Sequence, residues 1–164
     1  MDRRRVLLYG SALPLTAGLA AAALWRPAPD CDTLATCAEV ELRTGLVEEA
    51  RRKSAEVLAR EPDHFLALLV DGGCAEVLGE KERAADRYER ALRGVPEERL
   101  RPPILLSLAL LEVELGRKEA AARHVREARG FPDHRAKVAY VEAVWEGSFG
   151  TPEGSLARLR EAQA

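Results

Sequence analysis

Few side chains in this 164-residue chain could do chemistry, and they are scattered. Cysteines stand at 31, 37 and 74, and histidines at 64, 124 and 134. A thiol-redox site wants a Cys-x-x-Cys pair or a base beside the thiol, and neither occurs. No histidine falls at metal-ligand spacing from a cysteine. There is no Gly-rich phosphate loop and no Gly-x-Ser-x-Gly elbow. Carboxylates are many but dispersed. Glu48-Glu49 and Glu97-Glu98 fall at expected helix starts, where negative charge favours the dipole. The sequence therefore identifies no catalytic, cofactor-binding or metal-binding set. An enzyme or redox protein is the least favoured class.

Each reactive residue also has an ordinary structural reading. Cys37 and Cys74 read as small buried side chains. On one straight helix the Cα atoms of Cys31 and Cys37 would be about 9 Å apart, too far for a disulfide. If Cys31 instead lies in a linker that folds back, a bridge to Cys37 would pin that linker. His64 and His134 read as polar helix-entry residues. His124, between Arg123 and Arg126, reads as surface. Arg51-Arg52-Lys53 and Arg158/Arg160 read as solvated faces.

The elements that position these residues are helical. Hydrophobic residues make up 47% and are dominated by Ala and Leu, aromatics only 5%, and β-branched runs are scarce. Residues 1–29 hold Arg3, Arg4, Arg5 and Arg26 against Asp2. Removing them from 25 basic and 27 acidic residues leaves 21 and 26, a net of −5. An acidic body without a basic stripe argues against nucleic acid as a partner and against the body lying on an anionic membrane surface.

The N-terminal segment is different. Arg3-Arg4-Arg5 precedes Val6 to Trp25, 20 residues without charge. As a helix this spans about 30 Å, the thickness of a bilayer core. The charge order places the following residues outside the cytoplasm. Three readings stay open: a signal cleaved after Ala21-Ala22-Ala23, an uncleaved membrane anchor, or a buried helix of the domain. Arg3-Arg4-Arg5-Val6-Leu7 resembles the twin-arginine export signal. Lipoprotein processing at Cys31 is disfavoured by Ala28-Pro29-Asp30. The expected organisation is a signal or anchor over 1–25, a stiff linker over 26–31 and a domain over 32–164.

That domain is repetitive. Gly45, Ala50, Val57-Leu58 and Pro62 return 34 residues later as Gly79, Ala84, Ala91-Leu92 and Pro96. A third unit carries Gly116, Ala121, Ala128 and Pro132 after a three-residue insertion near Arg99-Leu100-Arg101. The glycines fit positive φ at a helix end, the alanines fit close helix crossing, and the prolines close each unit. Helices are predicted near 32–44, 47–60, 64–78, 81–93, 102–115, 118–129, 134–146 and 152–163. Gly147-Ser148-Phe149-Gly150 would be an irregular turn in a degenerate fourth unit.

This pattern resembles the tetratricopeptide repeat over residues 31–164, with Tyr88 as its aromatic and Ser54 and Val125 departing from it. The resemblance implies an all-α, right-handed α-solenoid of three to four helical hairpins, with repeats near 31–64, 65–98, 102–133 and 134–164, preceded by the N-terminal hydrophobic helix. It also implies that the first helix of each hairpin lines a groove. Those positions are Asp32, Ala35, Glu39 and Leu42, then Leu66, Leu69, Val70, Gly73 and Val77, then Leu106, Leu110 and Val113. The partner-binding set expected from them is Glu39, Leu66, Leu69, Val70, Gly73, Val77, Leu106 and Leu110. Such a groove would hold a protein or peptide segment of apolar or amphipathic character. The same residues can instead be packed core, or be covered by the chain's own terminal helix. The basic set with which some relatives grip a C-terminal carboxylate is absent. Asp71 falls where the family packs a Leu and is read as paired with a nearby Arg, as a register drift, or as a ligand contact.

Functionally, the resemblance implies a non-catalytic interaction scaffold, expected in the periplasm or anchored in the inner membrane through residues 6–25 with its repeats outside. The alternative is an accessory subunit of cytochrome c maturation that presents apocytochrome to a haem ligase.

Overall fold

The computed structural model describes residues 29–151 together with Gly154, Ser155 and Arg160. The N-terminal hydrophobic helix, most of the linker and most of the helix expected over 152–163 lie outside the described residues. Gly154, Ser155 and Arg160 are helical.

The described chain runs through α1 (Cys31–Arg43), α2 (Val47–Arg60), α3 (Phe65–Val77), α4 (Lys81–Arg93), α5 (Arg101–Glu114), α6 (Lys118–Ala128) and α7 (Arg135–Phe149), with short 3-10 turns at Glu98–Leu100 and Pro132–His134. Consecutive helices pair as the hairpins α1/α2, α3/α4 and α5/α6, and α7 begins a fourth unit. Each hairpin stacks on the next, with α1 also on α3 and α5 also on α7. This is an all-α solenoid, as the repeat predicts. Among the described residues no helix is long and apolar enough to cross a membrane.

The hairpin turns repeat in detail. Gly45, Gly79 and Gly116 have φ of +85°, +76° and +72°. At each, the N–H after the glycine reaches back five residues: Leu46 to Glu41, Glu80 to Ala75 and Arg117 to Glu112, at 2.7 to 2.8 Å. The glycine N–H bonds three residues back, to Leu42, Glu76 and Val113. This paired closure satisfies the last helical carbonyls and needs a left-handed residue. Ala50, Ala84 and Ala121 are fully buried at the helix crossings.

The core runs along the stack as several joined patches. One holds Ala75, Ala84, Tyr88, Ile104, Leu108 and Leu111; the next holds Leu105, Ala109, Val125, Val138 and Val141. Leu68, Leu105 and Leu108 are almost fully enclosed, and each such side chain contributes about 1.5–3 kcal/mol by burial.

Two expectations about the elements are corrected. α7 continues through Gly147 and Ser148 to Phe149, so the expected turn there is helix. Ser148 Oγ donates back to the Val144 carbonyl, and the Trp145 and Phe149 rings meet edge-on one turn apart. These contacts outweigh the modest cost of a helical glycine. Glu97 caps and Glu98 opens a 3-10 turn; α5 itself starts at Arg101 with Pro102 and Pro103 in its first turn.

Candidate interaction surface

Ion pairs tie helices together within and between hairpins. Arg51 on α2 makes a two-pronged contact with Glu80 at 2.8 and 3.1 Å. Lys53 pairs with Glu41, so Arg51 and Lys53 are engaged between elements. Asp71 is 1% exposed and accepts from Arg83 at 2.8 Å and from Arg87 Nε at 2.6 Å. Both arginines lie on the companion helix α4, which gives the buried acid a structural task.

The two glycines after Asp71 make room. A Cβ on Gly72 would stand 2.7 Å from Tyr88 Cε1, and one on Gly73 would stand 2.7 Å from Leu42 Cδ2. The Tyr88 hydroxyl donates to Glu76 at 2.9 Å. Burial first, then the Glu76 charge, raise the Tyr88 pKa well above its ordinary value.

The expected groove residues divide. Val70 is 2% exposed and packs with Ala38, Ala50 and Cys74; Leu106 is 5% exposed and packs with Leu105, Ala109 and Val125. Both are core and offer little side-chain surface to a partner, and the same holds for Ala35 and Val113. Hairpin stacking covers these rows. Leu66, Leu69 and Leu110 are half-buried against neighbouring clusters. Gly73 is occupied by its contact with Leu42. Glu39 is partly exposed and lies 3.5 Å from Arg43. Val77 is 66% exposed.

What remains open is a depression of about 400 Å³ bordered by Glu76 of α3, Lys81 of α4, Leu110, Leu111 and Glu114 of α5, and Tyr140 and Val144 of α7. Tyr140 is 52% exposed. Val77, next to Glu76, occupies the position of Glu114 when the turn glycines Gly79 and Gly116 are matched. Lys81 Nζ lies 2.9 Å from Glu114. Leu110 and Val77 were among the expected set. Glu76, Glu114 and Tyr140 were not, although Tyr140 lies 70 residues after Val70, just as Pro132 lies 70 after Pro62.

The three cysteines are free. Cys31 opens α1, on the same helix as Cys37, which removes the fold-back geometry a bridge would need. Cys37 is corrected from buried to exposed, because it lies off the row of α1 that packs Leu34, Ala35 and Ala38 inward. Cys74 is buried, donates to the Val47 carbonyl, and has its thiol pKa pushed up to about 11, by burial first and then by the Asp71 charge. His64 caps α3: its Nδ1 accepts from the Ala67 N–H, and Nε2 lies 3.1 Å from Asp32. His124 is corrected from surface to interior, at 4% exposure, because the stacked hairpins enclose that row of α6. Burial, then the Arg123 charge, lower its pKa.

No family model matches the sequence, and no curated protein matches it. Solved structures do resemble the fold. The crystal structure of YrrB, described as a TPR protein with an unusual peptide-binding site, superposes with a TM-score of 0.69 at 16% identity, covering 82% of this chain and 68% of that one. A MamA structure gives 0.69 at 18% identity over 90% and 87%. TTC0263, a thermophilic TPR protein in Thermus thermophilus, gives 0.63 at 23% identity over 81% and 72%. The architecture is thus the right-handed solenoid of tetratricopeptide hairpins.

Proposed function

We propose that this chain is a non-catalytic protein-interaction scaffold whose depression along α3, α5 and α7 holds an apolar or amphipathic segment of a partner protein. The observation that carries the reading is the exposed aromatic Tyr140 beside Leu110, with the carboxylates of Glu76 and Glu114 on the rim and the exposed Val77 following Glu76 in sequence. A rigid aromatic at an open depression is a typical anchor for a partner side chain. The two rim acids against one Lys81 favour basic residues flanking that anchor. The likeness to YrrB, named for a peptide-binding site, supports the same class of partner.

The scaffold is further proposed to work on the extracytoplasmic side. The support is Arg3-Arg4-Arg5 ahead of the uncharged run Val6 to Trp25. A reporter fused after Ala164 that is active only outside the cytoplasm tests this location.

Peptides selected on the full chain from a displayed library test the groove. The expected winners carry an apolar anchor with basic flanks and lose binding to Tyr140→Glu and Val77→Glu. Both positions are exposed, so the variants keep the fold. Unchanged binding to both variants would overturn the site.

A further inference from the structure

We infer that Glu89, Glu112 and His124 form a binding site for a divalent transition-metal ion, of the zinc class, that ties the second hairpin to the third. The residues come from three helices: Glu89 from α4, Glu112 from α5 and His124 from α6. One carboxylate oxygen from each acid and a ring nitrogen of the histidine all lie within 4.8 Å of one another.

Burial makes this more than an acidic patch. Glu112 is 2% exposed and His124 4% exposed. Nδ1 of His124 is buried without a hydrogen-bond partner. Its Nε2 has a long 3.4 Å contact with Arg123. If that guanidinium donates to Nε2, the neutral ring carries its proton on Nδ1, where nothing accepts it. Buried polar atoms are normally satisfied, so an orphan here points to a missing ligand. A cation on Nδ1 resolves the conflict: the ring proton then sits on Nε2, and the exposed Arg123 can turn to solvent.

The competing cations are loosely held. Arg117 stands 3.4 Å from both Glu112 oxygens, and Arg123 stands 3.9 Å from Glu89. By contrast, Asp71 holds its arginines at 2.6 and 2.8 Å. Two carboxylates and a neutral imidazole also balance a double positive charge.

The donor set selects the metal class. One imidazole and two carboxylates suit zinc and its first-row neighbours better than magnesium or calcium, which take oxygen alone. Tetrahedral zinc with bonds of about 2.0–2.2 Å needs its ligand atoms roughly 3.3 Å apart. The half-exposed Glu89 supplies that contraction by changing rotamer. Three protein ligands leave a fourth position for water. The adjoining cavity, lined by Glu89, Arg93, Arg101, Arg123, His124 and Glu127, gives access.

The test is zinc titration of the full chain, stripped with chelator, followed by calorimetry and metal analysis. The expected result is one tightly held ion per chain and a rise in thermal midpoint on adding zinc. Glu89→Gln and His124→Gln should each lose stoichiometric binding and the zinc-dependent rise. Glu89 is half exposed, so its variant keeps the fold even if the His124 variant does not. Cobalt in place of zinc should show nitrogen and oxygen ligation without a thiolate charge-transfer band. Absence of saturable binding, binding that survives Glu89→Gln, or binding lost in a Cys31→Ser/Cys37→Ser chain would each overturn the proposal.

Discussion

Gly72 shows how narrowly a residue can be constrained without chemistry. It sits in the middle of α3, where glycine is normally unfavourable, because the Tyr88 ring lies against its Cα. A Cβ on its neighbour Gly73 would press on the far end of Leu42 and meet the Tyr88 hydroxyl only at an ordinary contact distance of 3.7 Å. A rigid ring cannot retreat as a leucine methyl can. Gly72→Ala is therefore expected to destabilise the protein by about 1–3 kcal/mol through overpacking, and Gly73→Ala by less, since a helical alanine recovers part of its cost. Denaturant midpoints of the two variants check the order, and equal midpoints would remove the distinction. Asp71 belongs to the same account. As a lone acid among Leu and Val it reads ambiguously, and only the two arginines of α4, 12 and 16 residues on, explain it.

At the scale of the element, the hairpin was legible because its constraints are local. A positive φ, a close crossing and a helix stop each demand a residue type at a fixed offset, so Gly45, Ala50 and Pro62 recur as Gly79, Ala84 and Pro96. Gly147 reads as a turn for the same reason, because a glycine inside a helix looks locally like a stop. Glycines that do end helices also differ among themselves in backbone. Gly79 has φ +76°, whereas Gly94 ends α4 with φ −109° and open space around its Cβ position. Gly79→Ala should cost about 1–2 kcal/mol from the left-handed backbone alone. Gly94→Ala should be neutral or slightly stabilising, because it narrows the unfolded ensemble by about 0.4–1 kcal/mol. Thermal melts of the pair measure the contrast; a similar loss in both would mean that the turn is not held by its glycine.

The candidate sites belong to the whole molecule, and this is why the sequence hid them. Periodicity marks which rows of a helix are apolar. It does not say which row meets the next hairpin and which meets solvent, and Val70 and Val77 fall on opposite sides of that division. His124 stands 35 residues after Glu89 and 12 after Glu112, and only the stacking of α4, α5 and α6 brings them together. A stack of this kind is held by nearest-neighbour interfaces, so its stability should be graded along the axis. The hairpins α3/α4 and α5/α6 have a described neighbour on both sides. α1 turns outward a face carrying Val40, which is 55% exposed, whereas Cys74 at the equivalent place in α3 is buried. Amide hydrogen exchange followed by mass spectrometry should then be slowest around Leu68, Leu105 and Leu108 and fastest in α1. Arg51 and Glu80 join the first two hairpins across partly exposed surface, so their coupling in a double-mutant cycle should not exceed about 1 kcal/mol. Removing the pair should speed exchange in α1 and α2 while leaving α5 and α6 unchanged. Uniform exchange along the chain, or acceleration of all helices together, would show one cooperative unit in place of a graded stack.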